Sequence, residues 1–303
     1  MTTVRGLRAD LDWRTPSVEA GRATVASSFQ HALNLRTGAG TLLSVLTRSG
    51  RPAPGVLIVD IAGLPRVPAG TEARFGTHTL IGSLTLDLTA LDWFDCRLSP
   101  LADPRPAPVP RLTTALSAVA GVGSFTSRPG ATPYELAVAA RLHAGRRAYR
   151  SALASHTSPA SAVSGLVGLG PGLTPAGDDY LVGGLALLGS VTDPAGRARA
   201  FTQEVADAVQ PCLHRTTDVS AHYLRAAARG RFHHDVRAAA EAALRDAADL
   251  EAVFQRLSEV GSTSGGDALL GIVDAVAALG LDRTTHTSST TTQSITAQKE
   301  LYS

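Results

Sequence analysis

The chain has 303 residues, 44% of them hydrophobic and 18% charged, with a formal net charge of +2. That composition is ordinary for a globular protein and fits one large domain or two modest ones. The near-balanced charge argues against nucleic acid and anionic lipid as partners. No run of about 18 uninterrupted apolar residues marks a membrane span, and the start MTTVRGLRADLDWRTP lacks the apolar core of a signal peptide. Cys96 and Cys212 stand far apart and suggest no disulfide framework, so the expected location is a reducing cytoplasm. Lys299 is the only lysine. Schiff-base chemistry and a P-loop lysine are therefore excluded from the body of the fold. Positive charge for a substrate has to come from arginine, a helix N-terminus or a metal.

In chain order, residues 23–35, 41–47 and 55–61 read as strands, and HTLIGSLTLDL (78–88) alternates like one half-buried strand. Residues 97–110 carry five prolines and mark the end of a β-rich region. Beyond them nearly everything reads as helix. Thr132-Pro133-Tyr134-Glu135 is a capping box opening a helix to about Ser155. Ser158-Pro159 and Asp193-Pro194 repeat the start signal. Thr217 or Asp218 caps a helix over 219–229, and further helices are predicted over 180–188, 237–247, 250–260 and 267–279. The predicted architecture is α+β: a β-rich domain over 1–105, a helical domain over 106–283, and a disordered Thr/Ser-rich tail over 284–303.

Two glycine-rich loops each open an apolar helix. The first, 169–179, contains Gly170, Gly172, Thr174, Gly177, Asp178 and Asp179. The second, 261–267, contains Thr263, Ser264, Gly266 and Asp267. Both spell Thr-x-x-Gly-Asp, at 174–178 and 263–267. Glycine lets backbone N–H groups approach a ligand, and a helix start attracts phosphate or carboxylate. The plainer alternative is two helices capped by Asp178 and Asp267. A third helix start, His214-Arg215-Thr216-Thr217-Asp218, offers a guanidinium and two hydroxyls to a planar anion. Asp178 and Asp179 are also of a type to hold Mg²⁺. Cys212, His214 and His222 are too few and too irregularly spaced for a zinc site, and His233-His234 reads as a solvated helix start. Gly121-Val-Gly123-Ser124 is an ordinary glycine turn. No nucleophile elbow and no poised base is visible, so no residue is assigned as catalytic.

The strings GLVGLGPGLTPAGDDYLVGGL, HRTTDVSAHYLRAAARG and GSTSGGDALLGI, with the earlier His31-Ala-Leu-Asn34-Leu and Gly40-Thr-Leu-Leu-Ser44, resemble the family of the AllH subunit of oxamate carbamoyltransferase. That pattern more often has Ser at position 176 and an aromatic at 266, where this chain has Ala176 and Gly266. The resemblance implies a subunit of a multi-protein transferase. Such an enzyme interconverts oxalurate plus phosphate with oxamate plus carbamoyl phosphate in purine (allantoin) catabolism. It implies other subunits as partners and a small anionic substrate. In that reading the glycine-loop amides hold phosphate and Arg215, Thr216 and Thr217 hold carboxylate. The alternative is a small-anion-binding or scaffold subunit with no catalytic group of its own.

Overall fold

The computed structural model describes residues 2–14, 21–119, 125, 131–192 and 195–280. The Gly121–Ser124 turn, the Asp193-Pro194 start signal and the Thr/Ser-rich tail lie outside them.

The strands are β1 (Thr2–Asp10), β2 (Arg22–Ser28), β3 (Ala32–Thr37), β4 (Leu42–Leu46), β5 (Val56–Val59), β6 (Glu72–Arg74), β7 (His78–Ile81), β8 (Leu84–Asp87) and β9 (Asp92–Phe94). The order β5-β4-β3-β2-β6-β7-β8-β1 closes on itself, because β1 also pairs with β5, and β9 extends the far half of β1. β1 makes this closure possible by length. Its first half, Thr2–Arg5, runs parallel to β8, while Gly6, Arg8 and Ala9 pair antiparallel with β5. Alternation fills the barrel: Leu33 and Leu35, Leu43 and Val45, Leu57 and Val59, and Leu84 and Leu86 all point inward into one core. The alternating stretch 78–88 is a hairpin, β7 and β8, turning at Gly82, rather than a single strand. Residues 23–35 likewise split into β2 and β3.

The helices are α1 (Val109–Val119), α2 (Pro133–Ser155), α3 (Ala160–Leu166), α4 (Ala176–Ser190), α5 (Arg197–Val209), α6 (Asp218–Ala227), α7 (His234–Arg245), α8 (Leu250–Ser258) and α9 (Ser264–Leu279). The capping box at Thr132 forms as predicted, with Glu135 N–H donating to the Thr132 hydroxyl and Thr132 N–H to the Glu135 carboxylate. Helix α1 was hidden by its prolines. Pro110 sits in its first turn, where a missing N–H costs nothing. The proline segment before it is no free spacer. Leu98, Leu101, Arg105 and Ala107 donate backbone hydrogen bonds to Gly230, Ser190, Leu244 and Ala243, so the segment lies strapped along the helices.

Barrel and helices meet through polar locks around an apolar patch. Val56 and Ile58, on the outer face of β5, pack with Tyr223 of α6. Arg231 spans Asp10 at 2.5 Å and Asp12 at 2.7 Å. Asp10 also accepts from Gly55 N–H at 2.7 Å, and burial pushes its pKa up. His222 is buried and donates to the Pro54 carbonyl at 3.0 Å. Desolvation lowers its pKa, so it stays neutral there.

At the centre of the helical region α4 and α9 cross with backbones in contact. A methyl group at Gly183 would stand 1.9 Å from the Ala268 carbonyl oxygen, and one at Gly271 2.1 Å from that of Tyr180. Both glycines therefore trade about 1 kcal/mol of helix propensity for an approach no other residue permits. Gly271→Ala is expected to lower unfolding free energy by about 3 kcal/mol or more in urea titration, the overpacking cost outweighing the propensity gain. A variant as stable as the parent would show that the crossing is not tight.

Candidate functional site

The α4–α9 crossing places the two glycine-rich loops side by side. The Thr174 and Ser264 hydroxyls lie 2.6 Å apart, one at each helix start. Both hydroxyls neighbour the Asp179 carboxylate closely enough to oppose the rise in its pKa. The loops are related by an approximate two-fold whose register differs by one residue from the Thr-x-x-Gly-Asp match in the sequence. Gly183 on Ala268 mirrors Gly271 on Tyr180. Gly177 meets the Leu166 carbonyl as Gly265 meets that of Leu257, with added methyl groups at 2.1 and 1.8 Å. Asp179, not Asp178, is thus the counterpart of Asp267, and Gly265, not Gly266, that of Gly177. Gly266 and Asp267 are buried in the first turn of α9, and Asp267 N–H donates to the Thr263 carbonyl at 3.0 Å.

The two neighbouring aspartates of α4 do different things. Asp178 is wholly buried and saturated: it accepts from Gly168 N–H at 2.8 Å, Thr216 Oγ1 at 2.5 Å and Ser220 Oγ at 2.6 Å. It joins the first loop to the start of α6. Burial raises its pKa, and these three bonds pull it back. Asp179 is less well satisfied. Its Oδ2 is buried without a hydrogen-bond partner. Its pKa is held well above the aspartate range by burial first, with the charges of Asp267 and Asp178 adding to the rise and the Ser264 and Thr174 hydroxyls opposing it.

The third motif closes the cluster. Thr217 caps α6, accepting from Ser220 N–H at 3.1 Å while its hydroxyl donates to the Leu173 carbonyl. Arg215 is exposed and spends Nη1 on the Ser164 carbonyl and hydroxyl, at 2.8 and 3.0 Å. All three predicted motifs therefore meet, but much of their polarity is turned on one another. Gly177, Asp178, Asp179 and Gly265 N–H groups donate to the carbonyls of Leu169, Pro175, Pro175 and Val260. What faces outward is the crest of the first loop: Gly172, at positive φ, and Leu173, 56% exposed, with Gly170 half-buried beneath them against Ala176. Among the described residues no group of three or more His, Cys, Asp or Glu side chains has the geometry to hold a metal, and both oxygens of Asp178 already accept hydrogen bonds.

Two features escaped the sequence reading. Ser220 binds Asp178 from one turn inside α6, where a serine has no motif to mark it. At the other end of the crossing, buried Asp274 of α9 accepts from Tyr180 of α4 at 3.0 Å and from Arg146 of α2 at 2.5 and 2.9 Å. It lay unremarked in an apolar helix. His233 is not a solvated start: its Nδ1 accepts from Asp235 N–H at 3.1 Å, and burial lowers its pKa to about 4. A cavity of about 280 Å³ opens beside the third motif, between barrel and helices, with Arg36, His214, Asp218, His222 and Arg225 in its wall.

Residues 166–276, which hold all three motifs, match the family described as oxamate carbamoyltransferase subunit AllH, and residues 5–92 match the AllH family N-terminal domain. The chain belongs to the AllH family. Its barrel is the family's N-terminal domain and the α4–α9 crossing lies inside the family's defining segment, which makes it a carbamoyltransferase subunit by descent. A subunit of that enzyme has other chains for partners. No solved structure matches the chain. No helix among the described residues is long and apolar enough to cross a membrane.

The raised pKa of Asp179 has a thermodynamic sign. The folded chain keeps this proton to higher pH than the unfolded chain does. The group therefore favours folding most in acid and progressively less as pH rises from the ordinary aspartate value through the raised one. Asp179→Asn keeps the shape and removes the titration. It is expected to melt above the parent near pH 8, the gap closing toward about pH 4. A gap that does not change with pH in paired thermal melts would place the Asp179 pKa in the ordinary range.

Proposed function

We propose that this chain carries part of the transfer chemistry of a carbamoyltransferase that acts on oxamate- or oxalurate-like small anions with carbamoyl phosphate or phosphate, in allantoin degradation. The observation that carries the reading is Asp179: a half-buried residue whose Oδ2 is buried without a partner, beside two touching hydroxyls, at the meeting point of two family motifs. In the synthetic direction the amide nitrogen of oxamate attacks the carbamoyl carbon, the bond from that carbon to the phosphate oxygen breaks, and the nitrogen sheds a proton. Asp179 takes that proton, its raised pKa bringing it closer to the working pH of a general base. The exposed crest Gly172–Leu173, with Arg215 on its flank, holds the phosphate. The cavity beside the third motif, where Arg36 is paired with Asp218 and Arg225 adds a second guanidinium, is of a size for the small carboxylate. Asp178, Thr216 and Thr217 position the crest, and the rest of the rate comes from orientation.

The second reading, a binding or scaffold subunit with chemistry on its partners, is favoured by the internal saturation of Asp178, Thr216 and Thr217. Assay of the assembled enzyme separates the two. Asp179→Asn is expected to cut turnover by about 10²-fold or more while subunit assembly and saturable binding of carbamoyl phosphate persist. Turnover unchanged in Asp179→Asn would move proton handling to another subunit. Turnover unchanged in an Asp178→Ala, Arg215→Ala double variant would remove the crest from substrate binding.

A further inference from the structure

A second cavity, of about 400 Å³, lies on the same barrel–helix seam but shares no residue with the three motifs or with the cavity of Arg36 and Arg225. Its wall draws on segments far apart in sequence: Arg8 of β1, Arg51 and Pro52 between β4 and β5, Phe94 to Cys96 at the end of β9, and Phe232, His234 and Arg237 at the start of α7. Three guanidinium groups and one carboxylate, Asp95, face it. That carboxylate is turned back on its own bend, accepting from Arg97 N–H at 2.9 Å.

The arginines keep donors in hand. Arg237 gives Nη1 to the Asp95 backbone carbonyl at 3.0 Å rather than to a carboxylate. Arg51 meets Asp235 through Nε at 3.2 Å, and Arg8 meets exposed Asp92 through Nε, also at 3.2 Å. A guanidinium has five N–H donors, so each of the three has several left over. Arg8 also stacks over the Phe94 ring, 5.5 Å from its centroid, holding that ring against the cavity. Phe232 and the buried Cys96 thiol, which desolvation keeps protonated, complete an uncharged floor.

We infer that this cavity is a binding site for a small organic anion, a phosphate ester or carboxylate on a flat apolar body. The body lies on Phe94 and Phe232 while the anionic group bridges Arg8 and Arg51 of the barrel to Arg237 of the helices. Such a ligand ties the two halves of the chain together, so its binding raises the melting temperature.

Calorimetric titration of the full chain with phenyl phosphate, benzoate, inorganic phosphate and phenol tests this. Phenyl phosphate or benzoate is expected to bind saturably, one per chain and tighter than inorganic phosphate or phenol. The better of the two names the anionic group. Arg237→Gln and Arg51→Ala are each expected to weaken it about tenfold or more, a lost charge-assisted hydrogen bond. Arg51 is on a loop and keeps the test open should the α7 variant fail to fold. Thr174→Ala and Arg36→Ala, at the other sites, are expected to leave the affinity unchanged. Absence of saturable binding, or affinity lost in Thr174→Ala or Arg36→Ala but kept in Arg51→Ala, overturns the assignment.

Discussion

The helical half of this protein is organised by one contact: the backbones of α4 and α9 touching at Gly183 and Gly271. A helix pair at ordinary separation keeps its end loops apart by the width of the side chains between them. With no side chain at the crossing, the helix starts close to hydroxyl-to-hydroxyl distance, and Thr174 reaches Ser264. The contact also explains why α4 is buried along most of its length and carries almost no polar face. The remaining helices form a shell around this pair.

Bringing two helix starts together concentrates partial positive charge, which needs a negative answer nearby. The chain supplies it internally with Asp178, Asp179 and Asp267. Burial opposes ionisation of Asp178 and Asp179 while the helix start favours it, and the balance differs between the two. Asp178, with three donors, serves as a fixed tie to α6. Asp179, short of a partner at Oδ2, is the one whose proton is easily negotiated. The approximate two-fold is broken at this point, because the position matching Asp178 in the second loop is Gly266, which has no carboxylate to make a tie like the one Asp178 makes to Thr216 and Ser220.

The sequence was most legible where chemistry is local. The Thr132 capping box, the short apolar strands over 41–47 and 55–61, and the three polar helix starts could be read because each is a local pattern with one physical meaning. It was least legible where meaning depends on a distant partner. The Thr-x-x-Gly-Asp match paired the wrong aspartates, since letters align by identity while the crossing aligns by which carbonyl each glycine meets. Barrel closure could not be foreseen either. It rests on β1, whose polar, charged residues face outward and whose pairing with β5 and β8 is long-range. Arg215 read as a free cation because Ser164, its acceptor, carries no sequence mark.

Closure of the barrel has a bearing on how the chain joins its partners. In an open sheet the outermost strand offers a row of backbone donors and acceptors, and a neighbour of almost any sequence can add to it. Here β1 has β5 along one edge and β8 followed by β9 along the other, so among the described strands only the three residues of β9 end the ladder. A partner that pairs backbone to backbone with this barrel has only β9 to add to among the described strands, so the barrel's outer wall offers it side chains instead.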